Sequence, residues 1–289
     1  MYRALAFPLA LALACLTSAA IAAPIQIVAA ENFYGDVAAQ IGGSHVAVTS
    51  ILSNPDDDPH LFESSASTAR SLATADIVIY NGVDYDPWMD KLLSASTNDK
   101  RKVVVVADVT GHKSGDNPHL WYEPKTLPAV AATVAMALES GDPANAMEYS
   151  ANLQKFIAAW DKVAAGAADI KAQFAGTTVT ATEPVFGYMA EAMGLTVINN
   201  DFQIAMMNDT EPSPKDVAAF EDSLKSGAVK ILFYNSQVTD DTTTRLLVLA
   251  KAGNVPVVGV TETMPAGKTV QTWFSDEIAA VHAALAGHS

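Results

Sequence analysis

Two histidines of the 289-residue chain each follow a proline directly, in Pro59-His60 and Pro118-His119. Proline fixes its own φ angle and restricts the residue before it, so each imidazole should project from a stiff loop. A stiff loop suits a metal ligand, because the ligand must be held in position before the ion arrives. Two polar loops with solvated histidines would give the same pattern, so the repeat alone leaves both interpretations open.

Each Pro-His pair follows a predicted β-strand, at residues 45–52 and 103–106. Ligands of open α/β sheets bind outside the carboxyl ends of the strands, which favours metal ligation by His60 and His119. The three aspartates at 56–58 should shape the first turn rather than bind the ion.

Two glutamates have comparable positions in the second half of the chain. Glu183 and Glu262 each leave a buried-looking strand at its carboxyl end. With His60 and His119 they would form a closed site of two histidines and two carboxylates for one divalent metal ion. Glu183 could instead be an acid at a helix N-terminus, and Glu262 a solvated loop acid.

Alternating strand and helix patterns predict the elements that carry these residues. One β-α series fills residues 23–141 and a second fills residues 175–289, and each predicts a parallel sheet flanked by helices. A helical pattern over 142–174 lies between them and would span roughly 45 Å. We therefore predict an α/β protein with an N-terminal lobe, one long rigid linking helix and a C-terminal lobe, with these boundaries.

The first 22 residues predict export. A positively charged start precedes an apolar run at 4–16, and residues 20–22 form a small-x-small cleavage site. The run is too short to span a membrane, so we predict a cleavable signal peptide, residues 1–22, and a periplasmic location. A lipid anchor at Cys15 is the less favoured alternative, because the three residues before it match a lipobox poorly.

Composition limits the ligands and partners. The net charge of −15 argues against nucleic acid as a partner. Cys15 is the single cysteine and would leave with the signal peptide, which excludes disulfides, thiolate ligands and a cysteine nucleophile. We interpret Met206 and Met207 as part of a flexible apolar loop rather than as soft metal ligands.

Several short motifs spread over the mature chain point in one direction when taken together. They are Asp58-Pro59-His60, Ala73-Thr74-Ala75-Asp76-Ile77-Val78, Asn81-Gly82, Trp88-Met89, Asn117-Pro118-His119-Leu120-Trp121, Glu183-Pro184-Val185-Phe186-Gly187-Tyr188 and Pro212-Ser213-Pro214. This set resembles the zinc/manganese family of periplasmic solute-binding proteins, which deliver metal to ABC importers. The resemblance implies two α/β lobes joined by a rigid helix, an ion held in the cleft between them, and the importer's membrane permease as a partner.

The resemblance also implies a ligand set. It makes His60 and His119 the ligands of the first lobe. The third family position is often histidine in zinc-type members and glutamate in manganese-type ones, and here it is Glu183. The fourth is usually aspartate in a Leu-Asp-Pro-Leu-like turn, where this chain has Val260-Thr261-Glu262-Thr263, and we choose Glu262. Carboxylates favour manganese or iron(II) while raw affinity favours zinc, so the cargo is zinc or manganese, with iron(II) as a further option.

We predict a binding protein and not an enzyme, and expect a monomer. A secreted metal-dependent hydrolase is the main alternative. It would need three protein ligands, a metal-bound water and a general base, a role that Glu262 could have. The sequence contains neither a His-Glu-x-x-His nor a Gly-x-Ser-x-Gly motif. A binding protein for a chelated metal or a small organic ligand is the third interpretation.

Overall fold

The computed structural model describes residues 23–54, 62, 65–238 and 240–287. The predicted signal peptide with Cys15, the aspartates at 56–58 and His60 lie outside these residues. Within the described part of the chain, no helix is long and apolar enough to cross a membrane.

Two four-stranded parallel sheets form the framework of the described residues. The first has the order β2-β1-β3-β4 and the second the order β6-β5-β7-β8. The strands are β1 (Ile25–Glu31), β2 (Val46–Leu52), β3 (Ile77–Tyr80), β4 (Lys102–Val105), β5 (Thr178–Ala181), β6 (Thr196–Ile198), β7 (Leu232–Asn235) and β8 (Val257–Val260).

Helices cover both faces of each sheet, as parallel sheets require. They are α1 (Asn32–Gly42), α2 (Ala66–Thr74), α3 (Pro87–Ala95), α4 (Val106–Thr110), α5 (Thr126–Gly141), α6 (Ala146–Phe174), α7 (Gly187–Ala192), α8 (Asn200–Met207), α9 (Pro214–Lys225), α10 (Asp241–Ala252) and α11 (Val270–Ala286). The predicted fold class, two α/β lobes joined by a long helix, is confirmed.

Strand β1 lies inside the first sheet, between β2 and β3. Ile27 pairs with Val48 on one side and with Ile77 on the other. All five residues from Ile27 to Glu31 are buried, without the alternation of a strand that has one solvated face. The apolar run at residues 25–30 therefore forms a strand that is covered on both faces.

The long helix α6 begins slightly later than its sequence pattern predicts. A short 3₁₀ turn at Pro143–Asn145 precedes it. The carboxylate of Asp142 accepts hydrogen bonds from Asn145 Nδ2 and from the hydroxyl of Tyr149, both at 2.7 Å. These bonds fix the turn, and the regular helix starts at Ala146.

Helix α6 connects the two halves of the molecule by packing as well as by chain. Its 29 residues span roughly 44 Å. It packs against α1 and α5 of the first lobe and against α11 of the second. The buried face is aromatic and aliphatic and consists of Tyr149, Phe156, Trp160, Val163, Ala167 and Ile170.

Two helices were not predicted from the sequence. Helix α4 follows β4 directly, in a segment whose valines and threonine are typical of a strand. Helix α8 contains Met206 and Met207, so their interpretation as a flexible loop is wrong. The reason is packing, because Phe202 is fully buried and Met206 is partly buried in the cluster beneath this helix.

Candidate metal site

His119 lies in a loop between α4 and a 3₁₀ turn at Leu120–Tyr122, and it is fully buried. The sequence places this loop directly after a strand, but α4 intervenes. Asn117 Oδ1 accepts a hydrogen bond from the His119 backbone N–H at 3.1 Å and lies 2.7 Å from Nδ1. An amide oxygen can only accept, so Nδ1 carries the proton and Nε2 is the nitrogen that can ligate a metal.

Glu183 follows β5 and is 3% exposed. It stands at the N-cap of a 3₁₀ turn, Pro184–Phe186, but its side chain makes no capping hydrogen bond. Its Oε2 accepts a hydrogen bond from Asn235 Nδ2 at 3.2 Å instead. The carboxylate therefore turns toward the edge of the second sheet and does not act as a helix cap.

Glu262 follows β8 and is fully buried, which excludes a solvated loop acid. Its Oε1 accepts a hydrogen bond from Asn235 Nδ2 at 2.7 Å. Its Oε2 lies 3.5 Å from His119 Nε2. A carboxylate of the second lobe thus faces the Nε2 atom of a first-lobe histidine.

Aromatic side chains surround the imidazole of His119. The ring centroids of Trp121 and Tyr85 lie 5.3 and 6.0 Å from that of His119. Burial raises the pKa of the Tyr85 phenol well above its usual range, and the nearby carboxylates of Glu262 and Glu31 raise it further. This wall keeps bulk water away, which strengthens electrostatic interactions inside the site.

The loops that carry the two glutamates are hydrogen-bonded to the first lobe. Asn117 Nδ2 donates to the carbonyl of Pro184 at 2.7 Å, and the Tyr188 hydroxyl donates to the carbonyl of Asn117 at 2.9 Å. Asn32 bonds both backbone groups of Met264, at 2.7 and 2.9 Å. Protein contacts across the cleft therefore set the spacing of the candidate ligands.

Two further carboxyl groups are buried in the first lobe and escaped the sequence reasoning. Glu31 ends β1 with no exposed surface, and Asp86 is 1% exposed. Burial raises the pKa of Glu31 well above its usual range, with a further contribution from Asp86. Burial also raises the pKa of Asp86, to about 6. The strand-end rule that picked out Glu183 would also have found Glu31.

Two asparagines of the site were also missed. Asn117 stands inside the Asn-Pro-His motif, which could have marked it as a partner of His119. Asn235 ends β7 and had no such signal, because an asparagine after a strand is typical of an ordinary turn.

Of the four predicted ligands, the structure places His119 beside Glu262, and the side chain of Asn235 connects Glu262 to Glu183. Among the described residues, no group of three or more histidine, cysteine, aspartate or glutamate side chains is arranged to hold a metal ion. The fourth candidate, His60, is not described. The set of four ligands therefore stays a prediction.

A cavity of about 760 Å³ opens beside the site. The first lobe lines it with residues that include Tyr85 and Asn117, and the second with residues that include Pro184 and Tyr188. The cavity therefore borders the Pro184 loop and the Asn117 loop, next to the candidate ligands.

Known proteins resemble this chain over most of its length. The manganese-binding lipoprotein MntA of Bacillus subtilis is 27% identical over 230 residues, which cover 75% of this chain and 72% of MntA. The manganese ABC transporter substrate-binding lipoprotein PsaA of Streptococcus pneumoniae serotype 4 is 22% identical over 231 residues, 75% of this chain and 74% of PsaA.

Among solved structures, the periplasmic zinc-binding protein TroA from Treponema pallidum has the same fold. Its TM-score is 0.76 at 22% identity, and the match covers 91% of this chain and 99% of TroA. At this identity the likeness establishes the fold alone.

These comparisons decide two of the sequence interpretations. MntA and PsaA are named lipoproteins, so the preference for a signal peptide without a lipid anchor at Cys15 is not borne out. The resemblance to metal-importer binding proteins is confirmed, and these relatives are substrate-binding proteins rather than enzymes. The chain belongs to the ZnuA family, described as zinc-uptake complex component A periplasmic, whose model matches residues 27–284.

Proposed function

We propose that this protein binds one divalent metal ion, zinc or manganese, in the cleft between its lobes and delivers it to the membrane permease of an ABC importer. One observation carries the proposal. His119 Nε2 and Glu262 Oε2, from opposite lobes and both fully buried, face each other at 3.5 Å. Such a pair is costly to bury unless a cation or a proton compensates the carboxylate, and a divalent ion would do so.

The proposed ligands are His60, His119, Glu183 and Glu262, two from each lobe. Imidazole suits zinc, and carboxylate suits the harder manganese or iron(II) ions. The names of MntA and PsaA, which specify manganese, and of TroA, which specifies zinc, support this range of cargo. A site closed by four protein groups leaves no position for a reactive water, which favours binding over hydrolysis.

The proposed location is outside the cytoplasmic membrane, in the periplasm or anchored to the membrane surface. The export signal supports it, and so do the names of the relatives. We propose that the protein acts as a monomer. A single chain is suited to diffusion between the cell surface and the permease.

Substitution of the buried pair tests the binding site. His119→Ala should weaken zinc and manganese affinity by at least about tenfold, because one protein ligand is lost from the coordination shell. Glu262→Ala should have a similar effect. Calorimetric titration of the metal-free exported protein with each ion measures both.

His282→Ala is the matched control, since His282 is an exposed histidine on α11. It should bind both ions as the unmodified protein does. Unchanged affinity in the folded His119→Ala protein would overturn the site. Metal-dependent hydrolysis that Glu262→Ala abolishes, with binding retained, would favour the hydrolase alternative.

A further inference from the structure

Asn235 lies between the two candidate carboxylate ligands. It is the last residue of β7, and β7 lies between β5 and β8 in the second sheet. Glu183 follows β5 and Glu262 follows β8, so the side chain of Asn235 stands between them at the carboxyl edge. Only 1% of the asparagine is exposed.

Hydrogen bonds fix the orientation of the Asn235 amide. Its backbone N–H donates to Thr182 Oγ1 at 3.1 Å, which positions the residue. Its Oδ1 accepts a hydrogen bond from the Gln237 backbone N–H at 3.2 Å. A backbone N–H can only donate, so the flipped amide, with Nδ2 toward Gln237, is excluded. The Nδ2 group must face the carboxylates.

The two protons of Nδ2 serve both glutamates. One bond reaches Glu183 Oε2 at 3.2 Å and the other reaches Glu262 Oε1 at 2.7 Å. The other oxygen of Glu262, Oε2, is the one that faces His119 Nε2. Asn235 therefore gives the two oxygens of Glu262 different roles. One oxygen accepts the amide hydrogen bond, and the other is directed at the first lobe.

This arrangement has a consequence for coordination number. A carboxylate oxygen that accepts the amide proton has one lone pair engaged, so the other oxygen of each glutamate is the better metal ligand and single-oxygen ligation is favoured. Two carboxylates that bind through one oxygen each supply only two ligand atoms, which suits the four-coordination that zinc prefers. Hard ions that take oxygen ligands, such as manganese, prefer six, which two bidentate carboxylates would approach.

We propose that Asn235 is a specificity-determining residue that holds Glu183 and Glu262 to one metal-binding oxygen each, and so favours zinc over manganese. The proposal rests on the proposed function of the site. Asn235 does not touch the ion itself and acts by positioning the two carboxylates.

Asn235→Leu removes the amide while keeping its branched shape. We expect the ratio of the manganese to the zinc dissociation constant to fall by at least about tenfold, the lower range for changes to groups that orient metal ligands. Competition of each ion against a chelator on one metal-free preparation measures the ratio. X-ray absorption of the zinc-loaded proteins should show more oxygen ligand atoms in the variant than in the unmodified protein.

Two further variants make the experiment decisive. Asn235→Ser retains one hydroxyl proton, enough for a single carboxylate, and should shift the ratio in the same direction by less. It also replaces the leucine variant if that protein does not fold. Ser236→Ala alters the same strand end at an exposed residue, whose hydroxyl donates to the Val260 carbonyl and to neither glutamate, and should leave the ratio unchanged.

An equal loss of affinity for both ions, with an unchanged zinc coordination number, would mean a merely structural role and would overturn the proposal. An unmodified protein that binds neither ion would overturn the proposed function instead, and this proposal with it. The two failures are therefore distinguishable.

Discussion

Asn117 serves both lobes with one side chain. Its Oδ1 faces His119 and its Nδ2 donates to the Pro184 carbonyl in the loop that carries Glu183. Asn117 thus selects the imidazole tautomer of His119. It also connects the His119 loop by a hydrogen bond to the Glu183 loop on the opposite side of the cleft. Groups that orient a ligating histidine typically change metal affinity 10–100-fold when they are removed.

Variants of Asn117 can separate these two contributions. Asn117→Ala should weaken zinc binding by about tenfold or more, because both the acceptor for His119 and the tie to Pro184 are lost. Asn117→Asp keeps an acceptor for His119 and should retain most of the affinity. Calorimetry with zinc measures both variants.

Tyr188→Phe is the control for the hydrogen bonds between the lobes. It removes the other hydrogen bond to Asn117, at the backbone carbonyl, and leaves the Asn117 side chain in place. Its affinity should stay within about twofold of the unmodified protein, as for an ordinary hydrogen bond. If Asn117→Asp lost as much zinc affinity as Asn117→Ala, the hydrogen bond to the Pro184 carbonyl, and not the orientation of His119, would control zinc binding.

Local sequence indicated candidate ligands for the site but not their arrangement. His119 and Glu183 stand beside prolines at strand or turn ends, and such positions can be recognised without a structure. The 3.5 Å approach of His119 to Glu262 depends on how two lobes meet, which no local pattern encodes. Asn235 was missed for the same reason, since its two partners come from other strands.

Among the elements, strands were easier to predict than short helices. The strands predicted at residues 45–52 and 103–106 are β2 (Val46–Leu52) and β4 (Lys102–Val105), so their positions agree with the sequence pattern to within one residue. Helices α4 and α8 depend on packing and on neighbouring turns. Valine and threonine in α4 favour a strand, yet the segment is helical and buries Val106 and Ala107 in the core.

Trp160 shows how α6 holds elements of both lobes. Its Nε1 donates to the Pro124 carbonyl of the first lobe at 2.8 Å. Its ring centroid lies 5.1 Å from that of Phe274 on α11 and 6.3 Å from that of Phe156. A single indole therefore joins the helix to the first lobe and to α11.

Trp160→Ala should lower the free energy of unfolding by about 3–5 kcal/mol, the usual cost of truncating a buried tryptophan. Urea denaturation followed by circular dichroism measures the change. Lys162→Ala, an exposed neighbour on the same helix, should change stability by less than about 0.5 kcal/mol. A cost for Trp160→Ala as small as that of the control would contradict a linking role for this side chain.

At the scale of the whole molecule, the two lobes share one hydrophobic core behind the cleft. The core cluster includes β1 and α5 residues of the first lobe and α7 and α11 residues of the second. Further bonds join α1 to α11, where Asp36 accepts from the Val270 backbone N–H at 2.9 Å. A shared core resists large rotations of one lobe against the other, so we expect the permease to loosen the loops around the site rather than swing the lobes apart.

Glu277 gives the lobe interface a pH dependence. It lies on α11 with its Oε1 accepting hydrogen bonds from the Tyr122 hydroxyl and from Trp273 Nε1, both at 2.9 Å. Burial raises the pKa of this carboxyl to about 8, although those bonds act in the opposite direction. Below that pH the folded protein holds a proton that the unfolded chain, with an ordinary pKa of 4.5, has released.

Because the folded state binds more protons between those two pKa values, stability must fall as the pH rises through this window. Glu277→Gln keeps a carbonyl oxygen for Tyr122 and Trp273 but cannot ionise. Relative to the unmodified protein, it should gain on the order of 2–4 kcal/mol of stability between about pH 5 and about pH 8, at about 1.4 kcal/mol per pKa unit. Urea unfolding of the metal-free protein across that range measures the difference. Asp169→Asn, at an exposed acid on α6, should follow the unmodified protein. The free energy of unfolding of Glu277→Gln could instead depend on pH in the same way as that of the unmodified protein. The buried carboxyl would then have to be ionised over the whole range, and the interface would contain a charge that its neighbours stabilise.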